Sequence, residues 1–151
     1  MIGTTAADPG IVMTVTPIDN EVLPGEIATY EVNITYFMPP PPSTEHVVLS
    51  IDNPIWSYTY NPTEFDINSG ESKYSTLSIF VPSDAQPGTY THTVNATATG
   101  EIVIPPIPPI TITEGVSTTV ETTVIPEFTT IATPVAAILG LVFLFNRRRR
   151  G

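Results

Sequence analysis

Cysteine is absent from the 151-residue chain, which excludes disulfides and thiolate metal sites. Positive charge is nearly as scarce: five Lys and Arg stand against 15 Asp and Glu, a net charge of −10. Four of those five are Arg147, Arg148, Arg149 and Arg150, so Lys73 is the only cation before them and residues 1–146 carry −14. Binding to a phosphate backbone depends on clustered Lys and Arg that displace counterions, and no cluster exists outside the tail. Nucleic acid is therefore not an expected partner. Charged residues of both signs reach only 13%, about half of the ~25% usual in soluble domains. Helical periodicity is missing as well, since no helix of ten residues fits before Phe128.

What fills the space is 24 Thr and 17 Pro, with many Val and Ile, a composition that favours short strands and fixed turns. From Ile11 to Val124 the dominant period is two. Ile11, Met13 and Val15 share one face, and Pro17 is expected to end that strand. Ala28, Tyr30, Val32, Ile34 and Tyr36 alternate with Thr29, Glu31, Asn33 and Thr35, the pattern of a half-buried strand. Val47 to Ile51, Trp56 to Tyr60, Phe65 with Ile67, Leu77 to Val81, Tyr90 to Ala98 and Val116 to Val124 complete a set of eight. Short strands at roughly ten-residue spacing, punctuated by Pro, Gly and Asn, predict an all-β antiparallel sandwich over residues 11–125. Residues 1–10 have no basic or apolar run, and Thr5-Ala6-Ala7 looks like the small-residue end of a secretory signal. They read as a residual leader or linker.

Three stretches give the sandwich a family likeness: Val22 to Tyr30; Trp56 to Glu71, an aromatic strand followed by Phe65 and Gly70-Glu71; and Val81-Pro82 followed by Pro87-Gly88-Thr89-Tyr90. Across residues 11–125 the chain resembles the immunoglobulin-like modules of archaeal and bacterial surfaces. The resemblance implies that Tyr90 is the counterpart of the tyrosine corner. It also puts His92 where antibody-type domains carry a cysteine, so that the core must hold by packing alone.

The C-terminal stretch is chemically different. Ile131 to Phe145 carries no charge, and Phe128 to Phe145 makes eighteen residues, or about 27 Å of helix. A span over residues 129–146 would just cross a hydrocarbon layer of ~30 Å. Arg147 to Arg150 would then stay on the cytoplasmic side and the acidic domain outside. Pro126-Glu127-Phe128 stands directly before the apolar run and the Arg cluster directly after it. In this order over residues 126–151 the tail resembles the archaeal PEF-CTERM sorting signal. That resemblance implies an archaeosortase-like membrane enzyme as partner, cleavage near the motif, and rejoining to a lipid-like anchor.

Two sequons, Asn33-Ile34-Thr35 and Asn95-Ala96-Thr97, place both asparagines on the solvent parity of their strands, which makes them candidate N-glycosylation sites. Pro39 to Pro42 and Ile104 to Ile110 fall in two loops that an immunoglobulin-like topology brings to one pole. Phe37, Met38, Ile104, Ile107 and Ile110 there form a candidate binding tip, unless the two loops simply close on each other. No catalytic constellation emerges: His92 reads as a core histidine, and Ser83-Asp84 as a turn. Asp52, Glu64, Asp66, Glu71 and Asp84 lack any metal-loop spacing, so neither metal nor cofactor is expected. The expectation is a non-enzymatic cell-surface protein held at the lipid membrane, with a structural or adhesive role in the envelope. The alternative is a glycan- or protein-binding module acting through the proline-rich tip, or a subunit of a surface assembly. Exposed Trp56, Tyr58 and Tyr60 would favour sugar binding, whereas their burial would favour the structural role.

Overall fold

The computed structural model describes residues 3–6, 10–37 and 44–149. The elements are β1 (Gly3–Ala6), β2 (Ile11–Asp19), β3 (Glu21–Val22), β4 (Ile27–Tyr36), β5 (Thr44–Asp52), β6 (Tyr58–Asn61), β7 (Glu64–Asn68), β8 (Ser72–Phe80), β9 (Gly88–Ile102), β10 (Ile110–Val124) and α1 (Thr129–Arg148). The strands form two five-stranded sheets, ordered β1-β2-β4-β8-β6 and β3-β10-β9-β5-β7. Every pairing is antiparallel except β3 on β10. The period of two holds throughout: Ile11, Met13, Val15, Val32, Ile34, Leu77 and Ile79 from one sheet meet Val47, Leu49, Val94, Ala96, Val116 and Val120 from the other. The opposite faces carry Thr and Ser, whose β-branched or small side chains suit a pleated, solvated surface.

Two runs of chain change sheets. β2 does not end at Pro17, as its period suggests, but continues to Asp19 across a register shift between those residues. A proline lacks the ladder N–H, and a bulge is where a sheet tolerates that loss. The chain then crosses and lays β3 beside the end of β10. β6 and β7 are likewise one run, pairing first with β8 and then with β5. At the crossing, Ser75 Oγ donates to the Pro62 carbonyl at 2.6 Å and Leu49 N–H to the Thr63 carbonyl at 3.0 Å, so each sheet holds one side of the switch. The expected last strand is also longer, starting at Ile110 rather than Val116. Gly3–Ala6, within the stretch read as leader or linker, pairs with β2.

The sandwich has two ends. At one end, called the tethered end because α1 leaves from it, β10 stops at Val124 and the turns 23–26, 53–57 and 81–87 gather. At the far end β9 turns into β10 through residues 103–109. A buried tyrosine of β4 links the sheets near each end. Tyr30 Oη donates to the Glu121 carbonyl at 2.9 Å and lies 2.6 Å from Thr122 Oγ1, which is 3.1 Å from His92 Nε2. A carbonyl only accepts, so the Tyr30 proton is committed to Glu121. Thr122 must then donate to Tyr30, and His92 must donate from Nε2. Burial holds the His92 pKa below its ordinary value and raises that of Tyr30, which keeps this chain neutral. At the far end Tyr36 Oη donates to Glu45 Oε1 at 3.0 Å.

Candidate functional site

The C-terminal segment begins where the ladder runs out. Ile125 is half-buried and its N–H still donates to the Val22 carbonyl at 3.0 Å, but Pro126 has no N–H to continue the pairing. Pro126, Glu127 and Phe128 follow as exposed irregular backbone, with Phe128 68% exposed at the N-cap of α1. A segment free of sheet pairing is what a cleaving enzyme needs, because a paired backbone would first have to be unzipped. α1 then runs for 20 residues to Arg148. Leu141, Val142, Phe143, Leu144 and Phe145 are consecutive and each at least 55% exposed. Five consecutive residues at 100° intervals go once round a helix, so this turn has no polar face. Arg147 and Arg148 occupy the last turn, where positive charge complements the helix dipole. Among the described residues no helix is long and apolar enough to cross a membrane. Arg150 lies outside the described residues.

The other predicted positions fall out as follows. Phe37 is 59% exposed at the end of β4, and Ile104, Ile107 and Ile110 are 50–54% exposed around the far-end turn. Met38 and the prolines 39–42 lie outside the described residues. Asn33 and Asn95 both sit on the outward parity of central strands and are half-buried. Asn95 opposes Ser50 and Ser117 in an open recess of about 320 Å³, while Asn33 lies between Thr14 and Tyr74 with its Oδ1 buried. Tyr60 is buried, and Trp56 and Tyr58 pack against the core, so the three aromatics form no exposed platform. The Trp56 ring lies 4.4 Å from that of Tyr90 and 5.6 Å from that of His92. Tyr90 Oη donates to the Gln86 carbonyl at 2.9 Å. Ser83-Asp84 lies in a turn, in which Ala85 N–H donates to the Pro82 carbonyl at 3.1 Å.

His46 lies on the outer face with Nδ1 2.8 Å from Asp66 and Nε2 3.7 Å from Glu64, and these carboxylates raise its pKa. No group of three metal-ligating side chains occurs among the described residues. Sequence reasoning missed Glu45, which is fully buried with its carboxyl folded over Gly100. The signal was available, because Glu45 has the same parity as Val47, Leu49 and Ile51.

With this geometry in place, residues 125–149 match the model of the PEF-CTERM archaeal protein sorting domain. No curated protein matches the chain. A sorting domain of this kind implies a membrane-associated surface protein, anchored through C-terminal processing by an archaeosortase-like enzyme.

Proposed function

We propose that the chain is the precursor of a non-enzymatic cell-surface protein, an exported immunoglobulin-like sandwich with a structural or adhesive role in the envelope. The observation that carries this reading is the exposed Pro126-Glu127-Phe128 coil between a closed sandwich and a helix whose described turn is apolar on every side. Such a helix finds no partner in water, and no other helix among the described residues can cover it. In this reading residues 129–146 span the bilayer. Arg147 to Arg150 stop transfer on the cytoplasmic side and hold the motif at the outer interface, within reach of a membrane-embedded enzyme. Cleavage there would remove the cationic tail and leave the acidic domain on a lipid-like anchor.

Support for the immunoglobulin-like reading comes from topology and from one hydrogen bond. β2-β4-β8-β6 facing β10-β9-β5 has the order of a seven-strand sandwich of that class, and Tyr90 bonds back four residues to Gln86. Trp56 packs on His92, as a core tryptophan packs on the disulfide of antibody domains. The buried Tyr60 favours a structural role over sugar binding. A second reading, a protein-binding tip, draws on the half-exposed Ile104, Ile107 and Ile110. Replacing Ile104 and Ile107 with Ser should then abolish self-association or adhesion, and unchanged behaviour would end that reading.

The test of the main reading places an epitope after Gly151 and co-expresses an archaeosortase-like enzyme. The epitope should be lost from the wild-type chain and kept when Pro126, Glu127 and Phe128 are all alanine. Retention in both would overturn processing at the motif. Orientation can be read separately, because the chain has no cysteine of its own. On whole cells an impermeant maleimide should label Thr119→Cys and spare Asn146→Cys in the uncleaved precursor.

A further inference from the structure

The tethered end of the sandwich carries a feature that sorting does not require. Ile18 is 63% exposed and Ile55 is 55% exposed there, and the partly exposed Trp56, tilted against Tyr90, stands beside Ile55 in the 53–57 loop. Ile27 and Phe80, cross-strand partners at the same end, add further exposed apolar surface. The tether decides what meets this surface. Ile125 is still bonded to Val22, so only Pro126, Glu127 and Phe128 separate the folded domain from α1. Three extended residues reach about 10 Å. The polar layer on each side of a bilayer takes up roughly 5–8 Å of that reach. That leaves at most about 2–5 Å, which keeps the end of the domain against the headgroups.

We propose that in the uncleaved precursor the tethered end rests on the lipid surface, with Ile18 and Ile55 entering the headgroup layer and the exposed edge of Trp56 facing it. This rests on the anchoring reading above. Amphipathic aromatic rings and isolated aliphatic side chains are the groups that settle at that depth. Asp19, Glu21, Glu26, Asp52 and Asp84 occupy the same end without a neighbouring Lys or Arg, so contact comes from apolar insertion and not from attraction to anionic lipid. Those carboxylates also limit the depth, since an uncompensated charge resists leaving water.

Trp56 is the chain's only tryptophan and so reports on its own position. Full-length protein in phosphatidylcholine vesicles, some lipids bearing a nitroxide on the choline group, should co-float with the vesicles and lose Trp56 emission. Ile55→Ser and Ile18→Ser alter exposed side chains and should each reduce the quenching while flotation is unchanged. Replacing part of the lipid with phosphatidylglycerol should weaken it too. Co-flotation without quenching would overturn the contact while leaving the anchor intact. Shielding of Trp56 from aqueous iodide without lipid quenching would assign that end to a second copy of the chain, and overturn it equally. A chain that fails to float would remove the anchor and the contact together.

Discussion

The two ends of the sandwich are built on the same plan with opposite chemistry. Near each, a tyrosine of β4 reaches across the core to the other sheet. At the tethered end Tyr30 joins a neutral chain through Thr122 to His92, closed over by Trp56 and Tyr90. At the far end Tyr36 meets the carboxyl group of Glu45, which fits only because residue 100 has no side chain. One end is stabilised by aromatic packing around satisfied neutral groups. The other holds an acidic group in the core and depends on a single donor and a single glycine. A sandwich without a disulfide can thus link its sheets by hydrogen bonds, and here the two links fail for different reasons.

Packing should dominate at the tethered end. Trp56→Ala removes the ring that covers Tyr90 and His92 and should cost about 2–4 kcal/mol in urea unfolding, somewhat less than the ~3–5 kcal/mol of a core aromatic because the ring is partly exposed. A cost below that of Gly100→Ala would reverse the ranking of the two ends. Gly100→Ala should come next, at about 1–3 kcal/mol, as an overpacked core position. Its new Cβ would lie 2.6 Å from Glu45 Oε1, so the buried carboxyl that accepts from Tyr36 must shift. Gly115→Ala, whose nearest contact would be the Ala96 carbonyl at 3.9 Å, serves as the matched control and should change stability by less than about 0.5 kcal/mol. Tyr90→Phe loses one bond to Gln86 and should cost about 1 kcal/mol.

The histidines give the smallest effect and the clearest sign. His92 has its pKa lowered by burial, so the unfolded chain takes up a proton that the folded one refuses. Stability from this group falls as pH drops below about 6.5, the unfolded value. His46, between Asp66 and Glu64, has its pKa raised, so its contribution is present below about 6.5 and is lost as pH rises through the folded value. His92→Gln should flatten the acid limb of a stability–pH curve, and His46→Gln should flatten the neutral limb in a salt-sensitive way. Equal effects from the two variants would erase the distinction between the ends.

Much of this was legible in the period-two pattern. The inward faces of β2, β4, β8 and β9 follow directly from alternation, because burial on one face selects one parity. β1 and β3, at four and two residues, are too short to show any period. The switch from β6 to β7 left a trace, in that the inward residues change from Tyr58 and Tyr60 to Phe65 and Ile67, from even positions to odd. A parity change reads equally well as two strands or as one run that changes sheets, and only the partners β8 and β5 decide. Glu45 shares the inward parity of Val47, Leu49 and Ile51, but a charged side chain at such a position reads as the polar end of the strand. The tail was the most legible part, since motif, apolar run and Arg cluster act in linear order and need no folding to be recognised.

In the proposed reading −10 is the charge of a precursor, in which residues 1–128 carry −14 and the segment after them, removed by sorting, carries +4. The most direct test is the intact mass of the protein isolated from the envelope of its native host. The account predicts a chain that ends near Phe128, lacks Arg147 to Arg150 and carries a lipid-like adduct. A mass that retains all four arginines and shows no adduct would contradict it.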